Sequence, residues 1–183
     1  MSVNEKGRQE KLKAAGDRNN RRTALFIDGW EMNHQQRDLG FKMNVLALEE
    51  IAERVTGGVV SDAFYYTPGV PGDRFDRFRR FLATNGFSIV VTQLRQGESL
   101  VAGERSPMSV EIVHDLLTRT ATFDVAVILG AGRDMVRSIR TLQDRGKEVF
   151  LIATDELTPQ KARELVGRRF VELHDYEEVL KRP

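Results

Sequence analysis

A chain of 183 residues, 40% of them hydrophobic, is long enough for one α/β domain with a sizeable core, and two domains are not expected. Its formal charge of +1, with 30% charged residues, neither demands nor excludes nucleic acid, so local clusters must decide. The lack of cysteine excludes disulfides, thiolate zinc centres and cysteine nucleophiles, and with only three scattered histidines it leaves carboxylates as the metal ligands to look for.

Residues 1–22 carry few large apolar side chains and cannot bury a core, so they are expected to form a disordered basic arm. Lys6, Arg8, Lys11, Lys13, Arg18, Arg21 and Arg22 outnumber Glu5, Glu10 and Asp17. Such an arm is either a solubilising tail or a phosphate-contacting segment for RNA. Nothing in it resembles a signal peptide. No apolar run approaches the roughly 18 residues of a membrane span, so no membrane partner and a cytoplasmic location are expected.

From residue 23 onward strands and helices alternate. Thr23 to Asp28 is apolar until a carboxylate appears at its carboxyl end, and Gly29 turns the chain. A buried acid there is compensated by a divalent cation or by capping the helix that starts near Trp30; both readings stand. Asn44 to Val55 reads as a helix with Asn44 as its cap, and Val59 to Tyr66 as a strand followed by a Pro- and Gly-containing loop over 67–72. Asp73 to Thr84 interleaves Phe75, Phe78, Phe81 and Leu82 with Arg74, Arg77, Arg79 and Arg80. A buried stripe with a solvated arginine face is favoured there over an aromatic and basic surface for nucleic acid. Phe87 to Leu94 is a further strand. Ser106-Pro107 opens a helix that buries Ile112, Val113, Leu116 and Leu117 and turns Glu111 and Asp115 to solvent.

Val125 to Leu129 is a buried strand that runs into Gly130-Ala131-Gly132 and then into a helix with Met135, Val136, Ile139 and Leu142 on one face. Glu148 to Ala153 is a strand, Thr158-Pro159 starts a short helix to Val166, Arg169 to Leu173 is a last strand, and Asp175 caps a terminal turn. The alternation predicts a three-layer α/β/α sandwich with a mainly parallel central sheet over residues 23–183. Sites in such sheets lie beyond the carboxyl ends of the strands, which puts the turn from Gly130 to Asp134 on the functional edge.

That turn supports two chemistries. Gly130-Ala131-Gly132 opens a helix, and Asp155 ends the next strand about 20 residues on, the spacing of a dinucleotide site with a ribose-binding acid. Met135 in place of the third glycine and Asp134 at the helix start oppose it. Alternatively, Asp28 and Asp134 converge if their strands are neighbours, and two carboxylates holding magnesium or manganese make a phosphodiester-hydrolysing centre.

The segments Thr23 to Trp30 (TALFIDGW), Ala63 to Tyr66, Val113 to Leu117, Asp124 to Asp134 and Arg145 to Val149 resemble, in order and spacing, the NYN domain of the PIN-like nuclease superfamily, and its LabA-like branch in particular. The resemblance covers Thr23 to Leu173. It implies a PIN-like fold and a magnesium- or manganese-dependent ribonuclease whose acids come from the first strand, the central helix and the turn after the fourth strand.

Asp28 matches the first-strand acid and Asp134 the second acid of that turn. The turn's first acid falls on Gly132 and the central-helix acid on Ser109, while Glu31 stands where the family has asparagine. The resemblance thus implies a degenerate site that binds RNA, a nucleotide or a protein partner with weak or no cleavage, its metal weakened or lost. The alternative is an active endoribonuclease rebuilt from Asp28 and Asp134 as metal ligands, with Glu31 as a ligand or water-positioning base. Arg133, Arg137 and Ser109 are the expected phosphate contacts, Arg133 also being placed to take over the cation's position. The dinucleotide-dependent enzyme is the third reading, and self-association stays open alongside all three.

Overall fold

The computed structural model describes residues 21–69, 73–93, 106–130 and 132–181. The arm up to residue 20, the tip of the 67–72 loop, most of the loop before Ser106, and Ala131 lie outside them.

Six strands, β1 (Arg22–Asp28), β2 (Val59–Pro68), β3 (Ser88–Thr92), β4 (Val125–Leu129), β5 (Glu148–Ala153) and β6 (Phe170–Glu172), form one sheet in the order β3-β2-β1-β4-β5-β6. Every pair is parallel. The helices between them are α1 (Gly29–Leu39), α2 (Ala47–Thr56), α3 (Asp73–Thr84), α4 (Ser109–Thr118), α5 (Met135–Asp144), α6 (Gln160–Val166) and α7 (Glu177–Leu180). The central strands are apolar runs because both their faces are covered. Along β1, Leu25 and Ile27 join the layer that holds Leu48 and Ile51 of α2 and Leu82 of α3. Ala24 and Phe26 join the opposite layer, with Ile112 and Leu116 of α4, Ile139 and Leu142 of α5, and Ala162 and Val166 of α6. The three-layer α/β/α sandwich is as expected, and its sheet is wholly parallel among the described residues.

Three local expectations change. The helix expected from Asn44 starts at Ala47, and Asn44 Oδ1 instead accepts from Leu46 N at 3.0 Å in the preceding turn. The buried stripe of α3 is narrower than its phenylalanines suggest. Leu82 is fully buried and Phe78 packs edge-on to Tyr65 at 5.5 Å, whereas Phe75 and Phe81, on either side of that line, are each 47% exposed. The helix lies over the sheet's β3 edge, where there is too little surface to cover a wide stripe.

The third change concerns α4. Asp115 does not face solvent: its side chain is 13% exposed, Oδ2 accepts from the Tyr66 hydroxyl at 2.9 Å, and Oδ1 pairs with Arg119 at 3.2 Å. Glu111 likewise keeps Oε2 shielded and without a hydrogen-bond partner. Tyr66 is fully buried, and a buried phenol needs an acceptor. Tyr66→Phe is therefore expected to lower stability by about 1–2 kcal/mol, read as a drop of roughly 2–8 °C in thermal midpoint. An unchanged midpoint would show that the bond contributes nothing. Among the described residues no helix is long and apolar enough to cross a membrane.

Candidate functional site

The sheet changes its winding direction between β1 and β4, and ligands of doubly wound sheets bind in the crevice beyond such a point. Ile27 pairs with Leu129 as the last step of the β1–β4 register, so Asp28 and the turn that starts at Gly130 come level across that crevice. Gly29 follows Asp28 because nothing larger fits. A Cβ there would lie 2.6 Å from the Tyr66 carbonyl oxygen and 2.8 Å from the Tyr65 hydroxyl.

Asp28 is 1% exposed. Its Oδ1 accepts from Trp30 N at 2.9 Å and Glu31 N at 3.2 Å, which caps α1, while Oδ2 is shielded from solvent and makes no hydrogen bond. The cap reading thus accounts for one oxygen and leaves the other for a ligand. Burial pushes the carboxyl up to about 6, against the opposing pull of the neighbouring Ser106 hydroxyl and the two backbone N–H groups. Ser106 stands beside Asp28 without closing a hydrogen bond to Oδ2, and its own Oγ accepts from Met108 N at 3.2 Å at the entry to α4.

Glu31, half-buried in the first turn of α1, is pushed up to about 7 by burial and then by the charge of Asp28. It packs on the glycine turn. A Cβ built at Gly130, whose φ is +79°, would fall 2.3 Å from the Glu31 Cβ, and one built at Gly132 would lie 3.9 Å from Glu31 Oε1. The Glu31 carboxylate therefore arrives beside the position where the family resemblance expects an acid at residue 132.

The other expected residues are more dispersed. Ser109 begins α4, half-buried, its N–H donating to the Ser106 carbonyl at 3.2 Å. Asp134 is half-buried at the foot of α5, and its side chain does not cap that helix. Arg137 is exposed one turn along α5. Arg133 is exposed and lines a cavity of about 700 Å³ that opens between the turn after β4 and the loop after β5.

Asp28 and Glu31 are thus brought together. Among the described residues, however, no three acidic, histidine or cysteine side chains gather closely enough to hold a metal ion. A magnesium or manganese centre wants several hard oxygen donors about one point.

The space left by Gly130 is filled by Glu31, and α5, the helix that this turn opens, begins after Asp134 with no side-chain cap. Asp155, the expected ribose acid, is paired with Arg163.

Three participants were not singled out from sequence. Ser106 was read only as a helix cap. Tyr65 is 4% exposed, and burial together with the Asp28 charge pushes its hydroxyl upward. Gln35, 1% exposed, accepts from Thr154 N at 2.6 Å and so ties α1 to the loop after β5. Gln35 lies one helical turn beyond Glu31, and that spacing was the available signal.

The NYN domain family profile matches residues 22–174. The "Low amplitude and bright protein LabA" of Synechococcus elongatus is 26% identical over 160 residues, covering 84% of both chains. A crystal structure of a protein of unknown function, VPA0982 from Vibrio parahaemolyticus, superposes with a TM-score of 0.72 at 15% identity, over 87% of this chain and 95% of that one, which supports the fold alone. A family match across most of the chain, on the sheet order and strand-end acid just described, establishes that this protein belongs to the NYN domain family, in its LabA-like branch.

Proposed function

We propose that the chain binds single-stranded RNA along the carboxyl edge of its sheet and cleaves it weakly or not at all. The observation that carries this reading is the Asp28–Glu31 pair: two carboxyls from one helical turn stand in the crevice between β1 and β4, and among the described residues no third acidic, histidine or cysteine side chain joins them closely enough to hold a metal ion. A carboxyl pushed toward neutrality, as the half-buried Glu31 is, repels a phosphate less than an ionised one and can exchange hydrogen bonds with ribose hydroxyls, the groups that distinguish RNA from DNA. Family membership supports RNA as the ligand, since NYN domains are nuclease-type domains of the PIN-like group.

One observation favours the active, rearranged enzyme instead. A fully shielded carboxylate oxygen without a partner, Asp28 Oδ2, is an acceptor that a cation would satisfy. Incubating the protein with single-stranded RNA and manganese, with Asp28→Asn alongside, separates the two. Binding that weakens steeply with salt and leaves the RNA intact is the expected result. Manganese-dependent cleavage that disappears in Asp28→Asn would establish the nuclease.

A further inference from the structure

The crevice between the carboxyl ends of β4 and β5 holds the cavity of about 700 Å³ that Arg133 lines. Lys161 supplies a second cation, both side chains being exposed. Val136, Leu157 and Pro159 supply an apolar wall, and Leu157 is 41% exposed although no core claims it. Glu156 also lines the cavity and offers an acceptor to the hydrogen-bond donors of a base.

The cavity is held in place relative to the acid pair from two sides. Its loop is pinned by the Thr158 hydroxyl donating to the Thr154 carbonyl at 2.7 Å, and by Thr154 N donating to Gln35 Oε1 at 2.6 Å on the helix that carries Glu31. Its other wall, Arg133, directly follows the glycine that sits against the Glu31 carboxylate. A site fixed in this way relative to Asp28 and Glu31 is suited to the next unit of the same chain-like ligand.

We infer that this cavity is a nucleotide subsite for RNA, taking one base against Leu157 and Pro159 with its phosphate between Arg133 and Lys161, beside the nucleotide whose ribose lies at Glu31. The inference rests on the RNA-binding reading above and names a part of the track that reading leaves unassigned. Cations that grip phosphate beside an apolar platform for a base are the general means of holding single strands.

The test is equilibrium binding of a labelled single-stranded RNA to the full chain and to three variants. Arg133→Ala/Lys161→Ala is expected to weaken binding at least about tenfold and to flatten the dependence of log affinity on log salt by about one to two. Leu157→Ala is expected to weaken it several-fold with the salt dependence unchanged. Arg54→Ala, which removes an exposed cation in the last turn of α2, is expected to stay within about twofold.

Adenosine monophosphate should compete with RNA for the unaltered chain, and require higher concentrations against the double variant. RNA binding that is indifferent to Arg133, Lys161 and Leu157 would overturn the subsite and leave the RNA reading standing. Adenosine monophosphate binding without RNA binding would overturn both in favour of a free-nucleotide site. No binding of either ligand would also overturn both.

Discussion

Asp28→Asn is expected to raise the thermal midpoint of this protein at neutral and mildly alkaline pH. Asparagine keeps the oxygen that caps α1 through Trp30 N and Glu31 N, and removes a charge from a site only 1% exposed. In the fold the Asp28 carboxyl titrates at about 6, against an ordinary value of 3.8, chiefly because it is buried. Its folded value is therefore raised, and between the two values the folded chain holds more protons than the unfolded one. Stability accordingly falls as pH rises through that window, and the whole penalty is present above about 6. About two units correspond to roughly 3 kcal/mol as an upper figure, because neighbouring groups relax.

A gain of about 1–3 kcal/mol, or roughly 2–10 °C, is expected for the variant near pH 8. It should shrink to nothing as pH falls toward about 4, where the wild-type carboxyl is protonated as well. Glu31, pushed up next to it by burial and by the Asp28 charge, adds a contribution of the same sign. Thermal unfolding of both proteins across that range is the measurement. An asparagine variant less stable than wild type near pH 8, or a gain that does not vary with pH, would show that the buried charge is not what limits stability here. Asp28→Ala should gain less, because it also loses the cap.

The Asp28 result bears on how much of the molecule could be read in one dimension. β1, β4 and β5 were legible because strands buried on both faces appear as uninterrupted apolar runs, and Asp28 was legible as the acid that ends such a run. The crevice was less so. Whether Asp28 meets the Gly130 turn depends on β1 and β4 being neighbours, and strand order leaves no trace in local periodicity.

The same limit hid the partner of Asp115. Tyr66 lies 49 positions away, and a helix-wheel argument sees only the helix's own faces. The width of the α3 stripe is hidden for another reason: helical spacing of phenylalanines does not show how much sheet lies beneath them, and α3 sits over an edge. Glu31 stood out in sequence as a departure from the family pattern and as a candidate ligand or water-positioning base. Its effect on its neighbours depends on where its Cβ points, which spacing does not reveal.

The Cβ of Glu31 also sets the largest destabilisation expected of any single change in the turn. Gly130→Ala should lose about 2–5 kcal/mol for two separable reasons. The φ of +79° lies in the left-handed region, which costs an L-residue about 1–2 kcal/mol, and the new methyl would lie 2.3 Å from the Glu31 Cβ, an overlap of the kind that costs about 1–3 kcal/mol to relieve.

A double-mutant cycle separates the two. Glu31→Gly removes the Cβ it would meet and adds a helical glycine, which costs about 1 kcal/mol by itself. In the Gly130→Ala background it should return the overlap and leave the backbone strain, so the coupling between the two sites is expected to be about 1–3 kcal/mol. Glu31→Gln in the same background should return nothing, because the overlap is with Cβ and not with the carboxylate. Strict additivity of Gly130→Ala and Glu31→Gly in denaturant unfolding would show that the turn does not rest on α1. Rescue by Glu31→Gln would instead make the conflict one of charge. With glycine, but not glutamine, rescuing the variant, the requirement for glycine at 130 comes from its left-handed backbone and the side chain of α1 rather than from any phosphate, and the turn that looks like a nucleotide motif is the bearing surface for the second acid of the site.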